Sequence, residues 1–155
     1  VQASTTAEFS ERYSGKVRIN SAVLSKAASR SNLIAQQTPN TGPMTFTHTQ
    51  AADELSGKFR NLFYVPENGE LAEGSRLLLT LGATYDRDGN FSTTDDQAEV
   101  TYPVELSGDG AGRFLRNGYY RVQALIDGLT GSELSVSISV ADWEAPVTQS
   151  VNLGQ

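Results

Sequence analysis

The sequence predicts an all-β protein, namely an antiparallel two-sheet sandwich of about seven strands. Apolar and polar residues alternate in several short segments, most clearly over residues 134–140, where every second residue is a serine. Such a period of two places one face of a strand against a core and the other in water. Turn sequences separate these segments at intervals of about ten residues, and no segment has a regular helical pattern.

The composition fits one folded domain and excludes several kinds of chemistry. A chain of 155 residues can bury a core without a disulfide or a metal. It has no cysteine, which excludes a disulfide framework, a thiol nucleophile and a cysteine-based zinc site. The formal net charge is −6 and the twelve basic residues are scattered, so we expect no nucleic-acid partner.

The N-terminal residues differ from the rest of the chain. Residues 1–15 are mostly small and polar, and Phe9 and Tyr13 are their only large apolar anchors. This composition predicts a flexible arm or linker. The sandwich domain is then expected to span residues 16–155.

Seven segments of this domain have the pattern of strands. They are residues 16–23, 44–49, 59–65, 76–85, 98–106, 119–125 and 134–140. Residues 21–37 fit a helix face as well as strand and loop, and residues 50–56 could form one helical turn ended by Gly57. Pro103 has no amide hydrogen to donate, so its strand belongs at a sheet edge or a bulge.

Four residues are predicted to form part of the core: Tyr120, Val136, Ile138 and Trp143. The first three occupy apolar positions of alternating strands. Trp143 lies between Asp142 and Glu144, where an exposed indole could stack on a sugar ring. A tryptophan at the end of an alternating strand more often fills the base of a sandwich, so we assign it to the core.

An acidic loop at residues 86–90, with Asp95 and Asp96 nearby, offers oxygen ligands of the kind that calcium prefers. An EF-hand loop would need glycine at its sixth position and glutamate at its twelfth, but Phe91 and Gln97 stand there. Asp-Gly and Gly-Asn are also typical of hairpin turns. We therefore predict a polar turn and expect no metal and no cofactor.

The sequence gives no support for catalysis. His48, the only histidine, lies on the polar side of a predicted strand, and no nucleophile-elbow motif supplies a serine. The glycine-rich residues 108–112 lack the Lys-Ser/Thr of a phosphate-binding loop and indicate a flexible hairpin loop. We expect that the protein is not an enzyme.

The pattern of the C-terminal residues 147–153 predicts an extended segment with Val147, Val151 and Leu153 on one side. Pro146 interrupts the strand before it, so the segment could leave its own sheet without a continuous ladder holding it. It can therefore pair with a neighbouring molecule or form an edge strand of its own domain. The residues alone leave both alternatives open.

Four short motifs occur in a characteristic order over residues 59–155. They are FYVPEN at 63–68, YPV at 102–104, RNGYYRV at 116–122 leading into IDGL at 126–129, and VSISVADWE at 136–144. In order and spacing they resemble the C-terminal domain of Bacteroidetes-type fimbrillins. Residues 1–58 carry a much weaker resemblance.

The resemblance implies a transthyretin-like sandwich, a lipoprotein precursor, and assembly into type V pili at the outer membrane and cell surface. In that family a protease removes an N-terminal strand, and the C-terminal strand of another subunit fills the exposed groove. Val147, Val151 and Leu153 would then be donor residues at the subunit interface. Other pilin subunits would be the partners, with a host or bacterial surface receptor for adhesion.

Family members usually have a separate N-terminal domain and a lipobox, and this sequence has neither. Membrane attachment is therefore expected only through a lipid anchor absent from this chain. The role as shaft pilin, tip or anchor stays open. So does an alternative function, a secreted β-sandwich module that binds glycan or protein through its loops and aromatic residues.

Overall fold

The computed structural model describes residues 1–28, 44–49, 59–131 and 134–141. Within these ranges it contains one short helix and eight strands, so the predicted all-β class is confirmed. The elements are β1 (Gln2–Thr5), α1 (Ala7–Arg12), β2 (Lys16–Ala27), β3 (Met44–Thr49), β4 (Phe59–Arg60), β5 (Leu78–Asp86), β6 (Gln97–Glu105), β7 (Tyr119–Ile126) and β8 (Leu134–Ala141). No helix among the described residues has the length and apolar content needed to cross a membrane.

The strands form two four-stranded sheets that enclose a shared core. The first sheet has the order β4-β1-β7-β8, and the second has the order β3-β2-β5-β6. Every pairing is antiparallel except that of β1 with β7, which is parallel and sets Ala3 opposite Ala124. The two-sheet sandwich is confirmed, and β1 brings the described strands to one more than the seven predicted segments.

The core lies between the sheets, and strand periodicity selects most of its side chains. On β5, Leu79, Leu81 and Ala83 are buried, and the residues between them are more exposed. On β7, alternate side chains from Val122 to Ile126 are buried, as the sequence predicts. The second sheet is tied to the loop after β7 by the buried Tyr102 of β6. Its hydroxyl donates to the Gly128 carbonyl at 2.7 Å.

The alternation of buried and exposed residues along β2 shifts by one position midway. Val17 and Ile19 are buried in its first half, and Ala22 and Leu24 in its second. The register with β5 shifts between Ile19 and Ser21, and a bulge of this kind moves the alternation by one residue. The whole length of β2 can therefore face the core even though a single period of two does not describe it.

The flexible arm predicted for residues 1–15 is corrected by the structure, because these residues form β1 and α1. Strand β1 pairs with β7 through main-chain hydrogen bonds, which any side chains allow. Its small, polar residues therefore gave no strand pattern in the sequence. Phe9 of α1 is buried, and its ring centroid lies 4.8 Å from that of Tyr13 and 6.3 Å from that of Tyr85. The Thr6 hydroxyl caps the helix by accepting a hydrogen bond from the Phe9 amide at 3.2 Å.

The other predictions about strands and their boundaries are only partly confirmed. Pro103 pairs with Thr80 within β6, at the edge of the second sheet, so the edge prediction is confirmed. The strand predicted at residues 59–65 is reduced to β4. Residues 21–27 belong to β2, and the helical turn predicted at residues 50–56 lies outside the described residues.

Candidate functional site

The predicted site residues divide into two groups. Four lie outside the described part of the chain: Val147, Val151, Leu153 and Trp143. Three are half-buried and pack against the core: Tyr120, Val136 and Ile138. Among the described residues, two surfaces adjoin each other at one end of the sandwich.

The first surface is the position of β1 in the first sheet, which we call the β1 slot. It lies between β4 and β7, and β1 fills it with four residues in parallel register with β7 and two in register with β4. The Asn61 amide also donates to the Val1 carbonyl at 3.0 Å, and the Thr6 amide to the Ile126 carbonyl at 3.1 Å. Ala3 is the only β1 side chain that is buried. Main-chain pairing thus contributes more than side-chain burial to holding β1.

The second surface is a cleft of about 690 Å³, which we call the end cleft. Its walls are residues 62–67 and 114–120, and Val1 at the start of β1 also lines it. Four large hydrophobic side chains are exposed in the described part of the chain: Leu62 by 56%, Tyr64 by 80%, Leu115 by 50% and Tyr119 by 44%. All four line this cleft. Exposed apolar side chains gathered in one place are typical of an interaction surface.

An ion pair joins the two walls of the end cleft, and a hydrogen bond and a ring contact stabilise the wall formed by residues 114–120. Glu67 of one wall forms an ion pair with Arg116 of the other. The Tyr120 hydroxyl accepts from the Leu115 amide at 2.8 Å, and the Tyr120 ring centroid lies 4.7 Å from that of Phe114. These contacts leave the apolar side chains at the rim of the cleft exposed.

Two of the sequence motifs converge on this cleft. Motif 63–68 supplies most of one wall, and motif 116–122 supplies much of the other. Gly118 allows its wall to fold tightly, because a Cβ there would lie 2.5 Å from Cε2 of Tyr120. Sequence reasoning missed Leu62 and Leu115. Leu62 lies in a segment predicted as strand, where nothing indicates that its side chain is exposed, and Leu115 lies outside every predicted strand.

Strand β8 ends at the rim of the end cleft. It runs antiparallel to β7, so its last residue, Ala141, pairs with Tyr119, the first residue of β7. Tyr119 is one of the exposed residues that line the cleft. The last described residue of the chain therefore lies beside this cleft.

Several hydrogen bonds stabilise the acidic loop between β5 and β6. The Asn90 amide donates to carboxylate oxygens of Asp86 at 2.9 Å and of Asp88 at 2.7 Å, and the Asp88 amide donates to Asp96 at 3.1 Å. Carboxylate oxygens of the three aspartates lie within 4.8 Å of one another. Such oxygens can ligate a hard divalent cation. The sequence pattern did not predict that Asp86 would be fully buried.

The pKa values of two of these carboxyls move in opposite directions. Burial opposes ionisation of Asp86, but hydrogen bonds from Gln97, Asp88 and the loop amides outweigh it and hold the pKa below its usual value. The Asn90 amide favours ionised Asp88. The contact with Asp86, burial and the charge of Asp96 outweigh that effect and raise the pKa of Asp88.

The remaining candidates have local structural roles. His48 of β3 pairs with Ala22 in register, and its ring lies 5.6 Å from that of Phe59. In the glycine-rich loop, the amides of Gly110 and Gly112 both donate to the Ser107 carbonyl at 2.8 Å, which closes a turn.

Comparison with known proteins found no matching family model, no matching curated protein and no matching solved structure.

Proposed function

We propose that this chain is a structural subunit of a bacterial surface fimbria, a pilin or a tip or minor component, that assembles by β-strand exchange and supports adhesion. The observation that carries the proposal is the β1 slot, an interior position of the first sheet filled by a short N-terminal strand with one buried side chain. A strand held mainly by main-chain bonds can be replaced by another extended segment, because that pairing does not depend on side chains.

A donor with larger apolar side chains would occupy the slot more favourably than β1 does. Fully burying a valine or leucine side chain contributes about 1.5–3 kcal/mol, and a single CH₂ group about 0.8 kcal/mol. Segment 147–153 places Val147, Val151 and Leu153 on one side, whereas β1 buries only Ala3. The end cleft, which Val1 lines, provides room for larger side chains at the entrance of the slot.

The location follows from the same proposal. The subunit would act at the cell surface, in a fimbrium carried by the outer membrane, with other pilin subunits as partners and a host or bacterial surface receptor for adhesion. Its lipid anchor would lie outside these 155 residues, since they contain no cysteine to carry one.

Assembly of tail variants tests the proposal. One variant lacks residues 147–153, and a second has Val147→Ser, Val151→Ser and Leu153→Ser. We expect the intact chain to form elongated oligomers in light scattering and electron microscopy, and both variants to stay folded monomers. The matched control, Thr148→Ala with Ser150→Ala and Asn152→Ala, changes the other side of the segment and should assemble normally.

Binding of the isolated tail tests the acceptor side of the proposal. The intact chain is one acceptor, and a variant that lacks residues 1–5, and so has an open β1 slot, is the second. We expect it to bind a synthetic peptide of residues 147–153 more tightly than the intact chain does, and to gain thermal stability from it. The proposal fails if the tail deletion assembles as well as the intact chain. It also fails if neither acceptor binds the peptide.

A second candidate function is a secreted binding module that recognises glycan or protein. The exposed rings of Tyr64 and Tyr119 at the end cleft favour it, because aromatic faces can stack on sugar rings. Tyr64→Ala would then abolish binding on a glycan array by a chain that remains monomeric. Arrays with no tyrosine-dependent signal would exclude glycan as the ligand.

A further inference from the structure

We infer that the end cleft holds the C-terminal segment of its own chain, residues 142–155, before the subunit assembles. This inference rests on the proposed function, because it assigns a resting place to the proposed donor. The end cleft and the β1 slot would then have different roles: the cleft stores the subunit's own segment, and the slot accepts the segment of another copy.

The point where β8 ends is the first argument. Ala141 pairs with Tyr119, whose side chain is exposed and lines the cleft, so the described part of the chain ends at the rim. The segment from 142 to 155 can span about 45–50 Å when fully extended, at about 3.3–3.6 Å per residue. It can therefore turn back into the cleft without disturbing β8.

The chemistry of the segment matches that of the cleft. Residues 147–155 contain no charged side chain, and Val147, Val151 and Leu153 are their aliphatic residues. The rim of the cleft presents exposed Leu62 and Leu115, and the charges of Glu67 and Arg116 are already paired with each other. Residues 147–155 would thus cover the apolar rim with their three aliphatic side chains without burying an unpaired charged side chain.

Topology favours the chain's own segment over that of a second copy. Strand β8 ends at the same end of the sandwich as the cleft, so docking within one molecule is tethered and benefits from a high effective concentration. Two copies that exchanged segments through these clefts would contact each other end to end and close into a two-fold dimer. An open fibre needs a different acceptor, and the β1 slot is the one that the proposed function uses.

Paramagnetic labelling of the full chain tests the inference. Because the chain has no cysteine, Val151→Cys gives a single attachment site for a nitroxide. In dilute ¹⁵N-labelled protein we expect loss of the amide signals of Leu62 and Leu115. The same loss should be absent when spin-labelled, unenriched chains are mixed with ¹⁵N chains that carry no nitroxide, because the contact is within one molecule.

Two substitutions complete the test. Leu115→Glu puts a charge on the rim, so the amide signals of the cleft should return in the spin-labelled chain. Thr101→Glu, at an exposed position on β6, is the control and should leave these signals broadened. The inference is overturned if the nitroxide leaves the cleft amides unaffected, or if they broaden only in the mixture. Neither result affects the proposed function, which stands or falls on whether assembly needs residues 147–153.

Discussion

Phe9→Ala tests whether the N-terminal residues belong to the folded core. The Phe9 ring is 2% exposed and packs against the rings of Tyr13 and Tyr85. Truncating a buried phenylalanine to alanine removes its burial and leaves a cavity, at a cost of about 3–5 kcal/mol. Against a total stability of about 5–15 kcal/mol for a typical domain, this is a large loss.

Urea unfolding followed by circular dichroism measures the effect. We expect a clear fall in the midpoint for Phe9→Ala and almost none for Ser10→Ala, an exposed position on the same helix. If the two variants unfold at the same midpoint, α1 is not anchored in the core. Residues 1–15 would then behave as the arm that their composition predicts.

Three further predictions concern single contacts. Gly118→Ala places a Cβ against the Tyr120 ring and should lower the free energy of unfolding by about 1–3 kcal/mol, as overpacking does; an unchanged urea midpoint would contradict it. Tyr102→Phe removes the 2.7 Å bond to the Gly128 carbonyl and should cost about 1–3 kcal/mol in urea unfolding, whereas Tyr64→Phe, at an exposed ring, should cost nothing. The pKa of Asp88 is raised in the folded state, so the protein loses stability as pH rises and Asp88 ionises. Asp88→Asn should therefore stabilise the protein at neutral pH. This gain should shrink as acid protonates Asp88 in the parent, and unfolding curves that show a gain independent of pH would refute the reasoning.

The sequence predicts the strands that have regular alternation and misses those that depend on long-range pairing. Segment 119–125 alternates cleanly, and its buried face is the predicted one. Pro103 marks an edge because a missing amide hydrogen excludes a central strand. By contrast, β1 has four residues, and its pairing with β7 joins positions about 120 residues apart, as in the hydrogen bond from the Thr6 hydroxyl to Ile126. No local pattern encodes such a contact.

The candidate site shows the same division. Motifs 63–68 and 116–122 are visible in the sequence, but their meeting across the end cleft is a property of the tertiary fold. The ion pair of Glu67 with Arg116 joins residues that no spacing rule relates. The bulge in β2 also lies beyond the pattern, since it depends on the register with β5.

The parallel pairing of β1 with β7 explains why the two surfaces adjoin. Because β1 runs parallel to β7, with Gln2 opposite Gln123, the chain enters β1 from the end at which β7 begins, and Val1 lines the end cleft together with Tyr119. The antiparallel β8 ends at the same place. An incoming strand that first paired with β7 at the cleft could displace β1 one residue at a time, each step exchanging one set of main-chain bonds for an equivalent set. Exchange by such a route would avoid opening the core, because Ala3 is the only β1 side chain that must leave a buried position.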